Sequence, residues 1–226
     1  MKNRTATFVL ASIAGLCALA VAQPAKEAPK APAQPAADAH HAQPEMDEMM
    51  QQWMALATPN EHHARFSVFV GEWDSTVTMF EPGKDPSVSK GVMVNTLIHG
   101  GRYVHHEYRG DFMGMPFTGS GTFGYNNATK QYEGTWMDSM STGIMSSTGT
   151  YDEATKTYNT VTSMYGPGGV KIPGREVIVV HSNDSHSMEM YHTMPGMPEM
   201  KAMEIKYTRK AGGDMMHGKP AAPAGH

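Results

Sequence analysis

Between residues 71 and 209 the chain never runs far without a turn signal: stretches rich in Thr, Val, Tyr, Met and Ile are broken about every 8–12 residues by Gly, Asn, Asp or Pro. This rhythm leaves no space for the crossover of about a dozen or more residues that parallel strands require, so neighbouring strands must pair antiparallel. Strands are predicted near 73–80, 88–98, 102–110, 117–125, 131–138, 143–151, 157–164, 175–181, 186–193 and 201–209. An open sheet of that size would expose two long edges, and closure removes both. The expected fold class is all-β, an antiparallel up-and-down β-barrel of about ten strands preceded by short N-terminal helices.

Two hairpins repeat one another. Residues 121–132 and 149–158 share an Ala-Thr-Lys-x-Tyr block, beginning at Ala128 and again 26 residues later at Ala154. Asn127 and Asp152 are expected to hold the turns by bonding to the backbone, with the flanking tyrosines pairing across strands. The repeat reads as hairpin chemistry, not as a duplicated function.

The flanks differ in kind. Residues 1–22 combine Lys2 and Arg4, an apolar run of 17 residues, and small residues at Ala20 and Ala22, the make-up of a signal peptide cleaved after Ala22. The run is short for a membrane span, and the Pro-rich stretch behind it supplies no positive anchor. Leu16 stands before Cys17, where lipoprotein processing takes a small residue. Cleavage removes the single cysteine and takes the net charge from −4 to −6, so a periplasmic or extracellular mature chain must hold itself together without disulfides.

Residues 23–44 are Ala, Pro, Gln and Lys with little to bury, which predicts a disordered linker. Residues 45–57 place Met46, Met49, Met50, Trp53 and Leu56 along one side of an amphipathic helix. Thr58-Pro59-Asn60-Glu61 then offers a capping hydroxyl, a proline for the first helical position and a glutamate for the third. The second helix should reach about Val70 with Phe66, Phe69 and Val70 facing inward. The barrel domain is expected over 58–210, and 211–226 form a disordered Met/His/Pro tail.

Gly71-Glu72-Trp73 at the start of the first strand resembles the Gly-x-Trp signature of lipocalins and their calycin relatives. Gly100-Gly101-Arg102-Tyr103, Gly114-Met-Pro116-Phe117-x-Gly119-x-Gly121, Gly124-Tyr125-Asn126-Asn127, Trp136-x-Asp138-Ser139-x-Ser141-Thr142 and Met203-Glu204-Ile205-x-Tyr207-Thr208-Arg209 follow in order. Together these resemble the bacterial domain-of-unknown-function family 1579, over about residues 58–210. The resemblance implies a calycin-like barrel and export, and carries no reaction, ligand or catalytic residue. By analogy with lipocalins it implies that Trp73 packs under Arg209 and closes one barrel end through a cation–π contact.

Composition narrows the function. A net charge of −4 without a Lys/Arg cluster gives no footprint for nucleic acid. No Gly-x-Ser-x-Gly elbow, no Gly-x-Gly-x-x-Gly loop opening a helix and no His-Glu-x-x-His motif is present, so catalysis is not expected. Twenty-one methionines and 12 histidines are the unusual feature. Thioether and imidazole suit copper(I), which points to Met46, Met49, Met50, Met215, Met216 and His217, whereas methionine also fills cores in place of leucine. His40-His41, His62-His63 and His105-His106 are adjacent pairs whose side chains diverge, the wrong spacing for a closed zinc site. Haem would require one inward histidine, for which His181 and His192 are candidates.

Residues two apart on a strand project alike. Tyr103, His105 and Glu107 therefore share a face, as do Trp136 and Asp138, and Glu189 and Tyr191. If these sets face inward, they line a pocket with aromatic walls and a few polar groups, the usual make-up of a small-molecule site. A slip of one residue would put them outside. The leading expectation is non-catalytic binding of a small, partly apolar ligand. The alternatives are copper handling by the Met/His segments, and a structural or interaction module whose barrel is filled. The sequence points to no particular protein partner and to no membrane span in the mature chain.

Overall fold

The computed structural model describes residues 39–194 and 196–211. Ten strands follow one another: β1 Gly71–Met79, β2 Ser87–Ile98, β3 Tyr103–Phe112, β4 Met115–Asn126, β5 Gln131–Asp138, β6 Met145–Asp152, β7 Thr157–Tyr165, β8 Lys171–Ser182, β9 Ser185–His192 and β10 Met200–Arg209. Each pairs antiparallel with the next, and β1 pairs with β10, aligning Trp73 with Arg209, so the sheet is a closed barrel with no free edge. β8 starts earlier than predicted, because Pro173 and Gly174 lie inside the strand, opposite Ser163 and Thr162.

The turns explain why the strands stop where they do. In the repeated hairpins the Asn126 Oδ1 accepts from the Ala128 amide at 2.9 Å, and the Asp152 Oδ1 accepts from the Ala154 amide at the same distance. Lys130 and Lys156 then take the left-handed conformation, at φ 58° and 52°. Asn126, not Asn127, is the turn-former. Asn127 instead donates to the Leu56 and Thr58 carbonyls at 2.9 and 2.8 Å and ties the preceding segment to the barrel.

Before the barrel come α1, Ala39–Ala57, α2, Glu61–Ala64, and a 3-10 turn over Arg65–Phe69. α1 begins within the stretch predicted as linker, and the methionine side of α1 is exposed. The Thr58 hydroxyl donates to the Met54 carbonyl and finishes α1, while Asn60 caps α2 by accepting from the His62 amide. The second helical segment is therefore capped two residues later than the sequence suggests and tightens to 3-10 geometry, which carries Phe66 and Phe69 into the barrel end. Among the described residues no helix is long and apolar enough to cross a membrane. Residues 1–22, expected from sequence to be a signal peptide, most of the stretch expected to be a linker, and the expected tail, with Met215, Met216 and His217, lie outside the described residues.

Two apolar clusters occupy the barrel. Phe66, Phe69, Val104, Phe123, Tyr125, Tyr132 and Tyr158 plug the end under the helical segment, with the Tyr132 and Tyr158 rings 4.9 Å apart edge to face. Trp73, Val77, Met93, Tyr108, Ile205 and Tyr207 form the second, with Met79, Phe117, Trp136, Met188 and Met203 packed against it from the other end.

Candidate functional site

The closed end is built around Phe69 and Arg209. The Phe69 carbonyl accepts from Trp73 Nε1 at 2.7 Å and from Asn95 Nδ2 at 2.9 Å. The Arg209 guanidinium lies 4.1 Å from the centre of the Trp73 ring and donates to the Val68 and Val70 carbonyls at 3.0 and 2.6 Å. Beneath them His186 stacks on Tyr207 at 4.4 Å and meets the edge of Trp73 at 4.3 Å.

Register decides what enters the lumen. Asn95, His106, Gly121, Trp136 and Met145 are successive cross-strand partners and share the inner face. Toward the opposite end, Met93, Tyr108, Gly119 and Asp138 form the next inner rung. Across the barrel Thr160, Glu176, Met190, Met203 and Met79 form another. Of the residues singled out from sequence, Trp136 and Asp138 therefore face inward, with Trp136 Nε1 donating to Asp138 Oδ2 at 3.1 Å.

Tyr103, His105, Glu107, Glu189 and Tyr191 do not line the lumen. Their inward neighbours are Val104, His106, Tyr108, Met188, Met190 and His192, and the predicted set sits on the outer wall. There Tyr191 donates to Glu189 at 2.6 Å, Lys201 pairs with Glu189, and the Arg175 guanidinium stacks 3.6 Å from the Tyr191 ring. The error is one of parity: both faces of these strands carry aromatic and polar residues, so alternation alone does not choose between them. The two sets are therefore separate, one in the barrel and one outside it.

Glycine shapes the inner wall. A Cβ on Gly91 would meet the Tyr108 hydroxyl oxygen at 2.1 Å, and one on Gly119 would meet Trp136 Cζ2 at 2.2 Å. The two rings thus approach bare backbone more closely than any side chain would allow. As a result, burial is graded along the barrel. Phe66, Val104, Tyr132 and Tyr158 at the closed end are fully buried, whereas the inward-facing Met79, Trp136, Met145, Met164, Met190 and Met203 keep partial access to solvent.

Between the plug and this open end lies a band of polar groups that sequence reasoning missed: Ser75, Asn95, His106, Tyr108, Thr160 and Glu176. His106 Nδ1 donates to Asn95 Oδ1 at 2.8 Å; enclosure by the wall, then the neighbouring His105, push its pKa down to about 4, although part of its surface opens to the lumen. Burial pushes His186 down to about 3, with His106 and Arg209 adding to the effect. Burial also raises the Glu176 carboxyl above the usual carboxylate range, opposed by a hydrogen bond from the Thr160 hydroxyl at 3.2 Å. The legible signal was the parity of Gly91, Gly110, Gly119 and Gly121, which share the inner face with Tyr108 and His106.

His181 lies on the outer wall and bonds to Ser187 Oγ at 2.8 Å, while His192 faces inward with its Nε2 buried and without a hydrogen-bond partner. Among the described residues no three His, Cys, Asp or Glu side chains gather as a metal site. A depression of about 500 Å³ crosses β3, β4 and β5, with Glu107, Arg109, Thr118, Met137 and Ser139 among its lining. It is broadly open and formed largely by outward-facing side chains, so it does not share the lumen's enclosure.

The barrel geometry recurs in solved structures. Rv2717c from M. tuberculosis aligns at a TM-score of 0.50 and 14% identity, over 68% of this chain and 99% of that one. The S-type phycobiliprotein lyase CPES from Guillardia theta aligns at 0.45 and 12%, over 65% and 91%. At such identities the first likeness shows a shared fold. No curated protein matches the chain. Residues 58–209 match the family described as "Protein of unknown function (DUF1579)", and that span of the sequence makes the chain a member of this family.

Proposed function

We propose that the protein is an exported, non-catalytic carrier that binds a small, partly apolar molecule in its barrel, through the end opposite the helical plug. The supporting observation is the graded burial: thioethers and an indole face inward yet remain wetted, while the other end is packed shut. Apolar surface that water still reaches inside a concave wall gains about 25 cal/mol for each Å² a ligand covers. Trp136 and Asp138 stand at this mouth as ligand-contacting residues, and Trp73 and Arg209 act as closure.

Trp136 supplies the test. Titration with a panel of neutral, anionic and cationic apolar probes, including a fatty acid and haem, should change its fluorescence, and Trp136→Phe should remove that change in a folded protein. A panel that produces no response overturns the carrier reading in favour of a structural barrel. Export is tested by N-terminal sequencing of protein recovered from its host, which should begin at Gln23; retention of residues 1–22 refutes it.

A second reading rests on α1, where Met46, Met49 and Met50 are 60%, 54% and 60% exposed, so core packing does not account for their thioethers. They would hold copper(I) together with Met215, Met216 and His217, outside the barrel. Removing residues 211–226 and replacing the three helix methionines should abolish copper(I) binding in a competition titration. Undiminished affinity refutes this placement.

A further inference from the structure

Glu176 is the anomaly of the lumen. Its side chain turns inward from β8 between Thr160 on β7 and Met190 on β9, and the residue is 8% exposed. Among the described residues its hydrogen-bonding partner is the Thr160 hydroxyl, and no Lys or Arg reaches it. Arg175 and Lys201, its neighbours on β8 and β10, point outward and pair with Glu199 and Glu189. Arg209 is engaged at the closed end by backbone carbonyls of Val68, Val70 and Asn183. A second inward carboxyl, Asp138, stands at the mouth and accepts from Trp136 and the Met140 amide, likewise without a cation.

Buried acids are ordinarily paired with a cation or surrounded by donors, because an isolated buried carboxylate is costly. The other titratable groups facing this space are Tyr108, Tyr207, His106, His186 and His192, none of which carries a positive charge at neutral pH. The inner wall beyond the closed end thus offers carboxyl groups, π faces and thioethers, and no cation. An anionic ligand would find no cation to pair with there. A ligand that brings its own positive charge would satisfy Glu176 and meet the aromatic faces as well.

We propose that the lumen takes an organic cation, an amine with an apolar body, whose ammonium group pairs with Glu176 while the body lies among Trp136 and the methionines of the mouth. This rests on the carrier reading above. The ammonium pairs with the carboxylate form of Glu176, so a proton held by the buried carboxyl in the empty barrel passes to solvent on binding.

Phenethylamine and its uncharged counterpart 2-phenylethanol distinguish the cases, measured by calorimetry at pH 7 and pH 5 on the full mature chain. At pH 7 the amine should bind at least about tenfold more tightly than the alcohol, and this preference should shrink at pH 5, where a carboxyl with a raised pKa is more fully protonated. Glu176→Gln keeps the shape and should erase the amine preference and its pH dependence while alcohol binding remains. Should that variant not fold, the pH dependence of amine binding by the unaltered protein carries the test. Equal binding of the two probes, an amine preference that does not fall at pH 5, or a preference that survives Glu176→Gln but is lost in Asp138→Asn overturns the assignment to Glu176 and leaves lumen binding standing. Binding of neither probe, with no change at Trp136, overturns both.

Discussion

Acidifying the solution from pH 7 to pH 5 should weaken the barrel through two residues in particular, His106 and His186. Their native pKa values, about 4 and about 3, lie below the ordinary 6.5. The unfolded chain therefore takes up protons as pH falls through 6.5, whereas the native chain does not until its own lower values are reached. Stability from these groups is present above 6.5 and is lost as pH falls toward 4. At pH 5 each unfolded imidazole is almost fully protonated and each native one nearly neutral, which costs about 2 kcal/mol per residue, or about 4 kcal/mol for the pair. Glu176 works in the opposite sense, since its raised native pKa destabilises the fold at neutral pH and is relieved on acidification. The difference between proteins isolates the histidines from such background. His106→Gln keeps a donor for Asn95, and urea unfolding at pH 7, 6 and 5 should show that it loses about 2 kcal/mol less than the unaltered protein over this range. The double variant with His186→Gln should lose about 4 kcal/mol less. Parallel curves for all three proteins would refute the inward placement and burial of these rings.

Gly119→Val should drive the Trp136 ring off the wall, since the new Cβ would stand 2.2 Å from Cζ2; urea unfolding should register a loss of about 1–3 kcal/mol and probe binding should fall with it. Lys156→Gly relieves a left-handed residue at φ 52° and should stabilise the fold by about 1 kcal/mol, seen as a higher Tm, with probe binding unchanged. Asn95→Leu deprives His106 Nδ1 of its acceptor and Phe69 of one donor, so it should cost about 1–3 kcal/mol in the same unfolding assay.

The architecture was legible because its determinants are local. Asx and glycine turns mark strand ends whatever the tertiary surroundings, and all ten strands of the structure fall close to where those residues place them. Closure follows from sheet edges, and Phe66 and Phe69 from their spacing. The lumen was only half legible. Its wall mixes Asn95, His106, Tyr108 and Glu176 with methionine and glycine, so the inner face is hardly more apolar than the outer face carrying Tyr103, Tyr191 and Met137. Hydrophobic alternation carries little information about such a strand. Trp136, Glu107 and Glu189 read alike from sequence, as lumen-lining if their sets face inward, and only Trp136 does so; nothing local distinguishes Glu107 and Glu189 from the inward Glu176. The turn-former was missed by one residue for a similar reason: Asn126 and Asn127 are chemically identical, and only the link from Asn127 to Leu56 and Thr58 separates their roles.

If the barrel is a carrier, its lumen is an occupied site in the working protein, reached past Trp136. Native mass spectrometry of the protein purified from its own host addresses it most directly. The expected result is a single small-molecule adduct, carrying a basic nitrogen, that is lost in Glu176→Gln. A protein recovered at its bare mass, which also takes up nothing when incubated with an extract of the same host, would contradict it.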